Sequence, residues 1–257
     1  MLDWLYESDL RVLYPVTIVL IAAAAELGAL LGRRFRAEVP AGPDIGTLTG
    51  AALGLLALLL GFSFSLALSR YDVRRTMVLE EANAIGSTAN FALMLPEASQ
   101  RPILDLLRDY TAARIDLDAQ YDPARQARDI ARSLDLQARL WRTAVTVTEA
   151  APQSLQAYRF VNSLNEMNNI HERRVTALRY HVPGVLMFML VGVAMVAMGF
   201  TGYHAGVAGS RRPVATLIMS VMVAVVIMLV IDLDRPARGL IRVPVQPLID
   251  ALQGIPP

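Results

Sequence analysis

Four long apolar runs recur along the chain, at about residues 12–31, 46–68, 182–200 and 214–231. Each is close to the ~20 residues that a helix needs to cross the hydrocarbon core of a bilayer. The pattern predicts four membrane helices. Between the second and third runs the spacing changes. Ile130, Leu134, Trp141 and Val145 recur at helical intervals, as do Leu164, Met167, His171, Val175 and Leu178. Pro96, Pro102, Pro123 and Pro152 divide this stretch into separate helices, with Asp122 as a cap and Pro123 in a first turn. No run alternates as a strand would. The expected class is therefore all-α: a transmembrane hairpin over 1–68, a helical soluble domain over 69–181, a second hairpin over 182–231 and a juxtamembrane tail over 232–257. The outer two helices of the middle segment are expected to continue the second and third spans.

Composition refines this picture in three ways. The start, "MLDWLYESDLR", is acidic where a cleavable signal would be basic, so the first run reads as a retained span. There is no cysteine, which excludes disulfides, thiolate metal sites and cysteine nucleophiles. All 24 basic side chains are Arg. Arg33, Arg34, Arg36, Arg211 and Arg212 fall in the two short loops. A larger set (Arg70, Arg74, Arg75, Arg173, Arg174, Arg179, Arg235, Arg238 and Arg242) borders the membrane on the other side. The positive-inside rule then places the soluble domain and both termini on the cytoplasmic side, against the vote of the acidic N-terminus.

Catalytic signatures are absent: no H-E-x-x-H, G-x-S-x-G, Walker loop or G-x-G-x-x-G occurs. No enzyme activity, cofactor, metal or nucleic-acid partner is expected. "GYHAGVAG" reads as a tight connection between spans, and His171 as a core histidine. The second run is more informative. Gly46, Gly50 and Gly54 recur every four residues, and Ala57, Gly61, Ser65 and Asp72 continue nearly the same stripe. Such a stripe lets helix backbones approach closely. Leu55, Leu59, Phe62 and Leu66 form a bulkier, roughly opposite face. Either one face packs within the chain and the other meets lipid, or one meets neighbouring subunits and the other lines a pore constricted by Leu59 and Phe62.

Acids stand in two costly places. Asp232 and Asp234 leave the fourth run where the helix dipole favours bases. By parity, "SRYDVRR" and "DLDRPARG" reach the same membrane face. A charge network of Arg70, Asp72, Arg74, Arg75, Asp232, Asp234 and Arg235 is therefore expected, with Pro236 ending the helix. Glu26 lies alone within the first run, where an acid faces the bundle or a water path and could meet Ser63 or Thr49.

"LGLLALLLGFSFSLALSRYDVRRTMVLEEANAIGSTA" and "DLDRPARGLIRV" closely resemble the bacterial membrane proteins of the bestrophin-like domain family, and the likeness spans nearly the whole chain. By more distant architectural resemblance to bestrophins, it implies a homo-oligomeric ion channel, pentameric by analogy, in which the second span lines a hydrophobic neck. The neck role would fall on Leu59, Phe62 and Leu66. Lipid, inorganic ions and further copies of the chain are the implied partners. The alternative is a non-conducting scaffold or sensor whose helical bundle binds a partner protein.

Overall fold

The computed structural model describes residues 10–35, 44–119, 123–209, 213–235 and 239–257. Asp122, Arg36, Arg211, Arg212, Pro236 and Arg238 therefore lie outside the described residues, as does the stretch 1–9. The described residues are all-helical. In chain order the helices are α1 (Leu10–Arg34), α2 (Asp44–Ala92), α3 (Glu97–Ala119), α4 (Pro123–Ala150), α5 (Leu155–Arg179), α6 (Gly184–Val207), α7 (Pro213–Asp234) and α8 (Gln246–Gly254). Among the described residues, four stretches are long and apolar enough to cross a membrane; they contain the four apolar runs. Helix α2 has 49 residues and rises about 74 Å, more than twice a ~30 Å hydrocarbon core. Its apolar part, 46–68, is the stretch with the composition of a membrane span.

Contacts divide the chain into two units: residues 1–70 with 181–235, and residues 71–180 with 236–257. In the first, α1 packs chiefly against α6 and also against α7. The contact with α6 is made backbone to backbone. A Cβ on Gly28 would run into the Gly199 carbonyl, one on Gly202 into that of Ala25, and one on Gly206 into that of Ala29. These small residues recur every three or four positions on both helices, the spacing that close helix packing in lipid requires. "GYHAGVAG" is thus not a loop. Its first six residues belong to α6, because Gly202 and Gly206 are the positions where α1 approaches. The helix ends just before Gly209, whose φ of 68° suits only a residue without a side chain. Buried Thr17, Thr49 and Ser220 and half-buried Thr201 are satisfied within their own helices, each donating to the carbonyl four residues back.

The second unit has an apolar core in which Ile85, Leu107, Tyr110, Leu140, Phe160, Leu164 and Met167 are fully buried. Helix α5 is capped at its N-terminus by Ser154, whose side chain accepts the Ala157 N–H. The α4 stripe Leu134, Trp141 and Val145 is exposed. The face that α4 buries carries Ser133, Leu136, Leu140, Ala144 and Val147. The tail closes the unit: Leu248 and Ile255 join the core, and Arg108 donates to the Pro256 carbonyl.

Candidate functional site

Helix α2 carries both stripes singled out in the sequence. Within one chain, its membrane part buries Thr49, Leu56 and Ala67. This face is neither of the two stripes marked in the sequence. Gly46 meets only the end of His204, and Gly50, Gly54 and Gly61 have nothing of their own chain within 4 Å of an added Cβ. Close glycine packing inside the chain therefore belongs to α1 and α6, not to α2. On the bulky side Phe62 is 65% exposed, Leu66 is exposed and Leu59 is half-buried. Glu26 on α1 is half-buried. Thr49, one partner foreseen for it, instead shares its hydroxyl proton between the carbonyls of Ile45 (2.8 Å) and Phe200 (3.4 Å).

At the end of α7 the acids turn inward. Asp232, Asp234 and Arg235 are all buried. One oxygen of Asp234 accepts the backbone N–H of Val182 at 2.8 Å and lies 3.8 Å from His181 Nδ1. The carboxylate thus fixes the chain just before α6. Arg74, the buried arginine of the α2 cluster, donates to the carbonyls of Ala177 and Tyr180. It caps the C-terminus of α5, where a cation also meets the negative end of the helix dipole. Asp72 and Arg75 are exposed, and Arg70 is half-buried.

The sequence reading missed a second charged site. Glu81 on α2, Arg114 on α3 and Arg174 on α5 occupy core positions of their helices and are buried. Arg114 Nε donates to Glu81 Oε1 at 2.7 Å, and Arg174 donates to Oε2. Tyr110 donates its one proton to the same Oε1 at 2.9 Å. The 3.1 Å contact between Tyr110 and His171 must then run from Nδ1–H to the phenol oxygen, which leaves Nε2 as the bare nitrogen. Burial would raise the Glu81 pKa, but the two guanidiniums overcome it and hold the carboxyl at about 2. His171 is lowered to about 4, first by burial and then by Arg114, so it is neutral. Burial, and then the Glu81 charge, push Tyr110 well above the usual phenol range. A carboxylate clamped by two guanidiniums and a phenol cannot easily accept a proton, so this arrangement ties three helices together rather than performing acid–base chemistry. Its signal in the sequence was the placement of single charged residues on otherwise apolar helical stripes: Val78, Glu81, Ile85 and Tyr110, Arg114, Leu117. Arg174, which looked like a juxtamembrane charge, is part of this core.

The family model described as the bestrophin-like domain matches residues 19–248. Two of the similar solved structures are point-mutated forms of a bacterial bestrophin homolog from Klebsiella pneumoniae. One has 14% identity and a TM-score of 0.72, covering 96% of this chain and 97% of that chain. The other has 14% identity and a TM-score of 0.70, covering 93% and 96%. A further structure of the same homolog has 14% identity and a TM-score of 0.68, covering 96% and 97%. At this identity the likeness concerns the fold. No curated protein matches the chain.

Proposed function

Since the chain belongs to the bestrophin-like domain family, we propose that it is a homo-oligomeric ion channel of the bacterial inner membrane, with both termini and residues 71–180 on the cytoplasmic side. The observation that carries this reading is the membrane part of α2. Two of its faces, the glycine stripe and the stripe of Leu59, Phe62 and Leu66, have little or no cover from their own chain. A ring of copies gives each face a role. The glycines allow neighbouring backbones to approach closely, and the bulky apolar residues narrow the axis into a constriction that gates by dewetting. Membership of a family related to bestrophins supports the assignment.

The test is ion flux into liposomes. Leu59→Ala with Phe62→Ala widens and wets the constriction, so basal flux is expected to exceed that of the parent protein. Unchanged flux in a folded double variant would remove the neck from these residues. The exposed α4 stripe of Leu134, Trp141 and Val145 favours a second reading, a non-conducting scaffold that docks a partner protein. In that case neither the parent nor the double variant conducts.

A further inference from the structure

An open groove runs along the helical unit between α2 and α5 and has a volume of about 660 Å³, within the range of small-ligand sites. The two helices are antiparallel here: Thr88 meets Ser163, and Arg74 reaches the carbonyl of Ala177. The groove is electrically polar along its length. At one end Glu80 and Glu166 share a single guanidinium, that of Arg173, at 3.9 and 3.0 Å. One negative charge is in surplus there. At the other end Arg159 stands beside Phe91, with no ion pair or hydrogen bond among the described residues. Seven residues of helix separate Arg159 from Glu166, about 10 Å. Along that distance α2 contributes Asn83 and Ser87, and α5 contributes Asn162. Their amides and hydroxyl both donate and accept hydrogen bonds.

We propose that this groove binds a short zwitterionic peptide of about three residues, with its C-terminal carboxylate on Arg159 and its N-terminal ammonium between Glu80 and Glu166. An extended chain of three residues spans about 10 Å, the separation of the two charged ends. The amide and hydroxyl groups between them complement the peptide N–H and C=O groups. A simple anion would leave the surplus charge at the acidic end unmatched, and a simple amine would leave Arg159 unmatched. Glu80, Glu166 and Arg173 keep 40–57% of their side-chain surface exposed, so a ligand reaches them without any opening of the fold. The proposal does not depend on whether the protein conducts.

Trialanine titrated calorimetrically into the full-length protein in detergent micelles tests this directly, alongside N-acetyl-trialanine and trialanine amide. Free trialanine is expected to bind, and each blocked form to bind about tenfold or more weakly, because each loses one charge-assisted contact. Arg159→Gln should weaken free trialanine to a similar extent while leaving the amide's affinity unchanged. Glu80→Gln combined with Glu166→Gln should do the same for the acetylated form. All three substituted positions are at the surface, and unaltered melting curves will establish that the variants are folded. No binding of trialanine at millimolar concentration, equal binding by the blocked peptides, or equal binding by the variants would overturn the proposal.

Discussion

Where α1 meets α6, the contact is made by backbone: Gly28, Gly202 and Gly206 each face a carbonyl that leaves no room for a Cβ. Where α2 meets α3 and α5, it is made by ions: Glu81 is held by Arg114 and Arg174 with every partner buried. On the proposed topology, with the first unit in lipid and the second in water, the difference follows from the two solvents. Lipid tails are as apolar as leucine, so helices in the membrane gain little from hiding leucine and must gain from close van der Waals approach. A bundle in water has the hydrophobic effect to drive its collapse. It can then use a buried charge cluster to select one register among many, although the cluster itself adds little net stability.

The ionic side of the comparison gives the largest expected effect. Glu81→Gln leaves two guanidiniums without their carboxylate and should cost about 3–5 kcal/mol, measured by thermal or denaturant unfolding of the helical signal. Replacing Glu81, Arg114 and Arg174 together by apolar residues of similar volume should cost far less. If the single and triple changes were equal, the charges would be acting as packing volume alone. On the backbone side, Gly202→Leu should cost about 1–3 kcal/mol or more through overpacking. Gly54→Leu should leave the fold of the single chain intact, because nothing of its own chain lies nearby, but should weaken the oligomer in size-exclusion measurements. If Gly54→Leu assembled like the parent, the α2 stripe would face lipid.

Acidification sharpens the contrast, because it acts on the ionic unit. His171 has a folded pKa of about 4, below its ordinary value of 6.5, so the unfolded chain binds the extra proton first. Its contribution to stability is complete above pH 6.5 and is lost as the pH falls towards 4. Glu81, held at about 2 against 4.5, contributes above pH 4.5 and loses that contribution as the pH falls towards 2. His171→Gln should therefore flatten the upper part of the stability profile between pH 6.5 and 4 and leave the lower part unchanged. A parent profile that is flat across both windows would contradict the buried cluster.

The smallest effect is expected at the start of α6. Asp234→Ala leaves the Val182 N–H without its acceptor and should cost about 1–3 kcal/mol. Asp234→Asn keeps an acceptor oxygen and should cost less. Equal losses for the two would mean that the charge matters at this position and the hydrogen bond does not.

The spans were legible in the sequence because a run of some twenty apolar residues has few other solutions in a helical protein. Two details were not. Polar Tyr203 and His204 make "GYHAGVAG" look like a connection, yet its glycines are what brings α6 onto α1, and only the partner helix reveals that. In α4 the conspicuous stripe of Leu134, Trp141 and Val145 is exposed, while Ser133 is buried beside Leu136 and Leu140. Periodicity locates a helix, but it cannot choose between two apolar faces. The Glu81 cluster was hidden for a related reason. A single charge on a helix is ordinarily solvated, and nothing local marks the opposite charges that meet it from α3 and α5.

The central claim, that α2 lines a conducting pore with its bulky face, is open to a clean test because the chain has no cysteine. Phe62→Cys and Gly54→Cys would each be reconstituted into liposomes and exposed to a charged, membrane-impermeant thiol reagent while ion flux is recorded. The account predicts that the reagent changes flux through Phe62→Cys and leaves Gly54→Cys as it was. Flux that responds at Gly54→Cys and not at Phe62→Cys would contradict it, as would a folded, oligomeric protein that passes no ions at all.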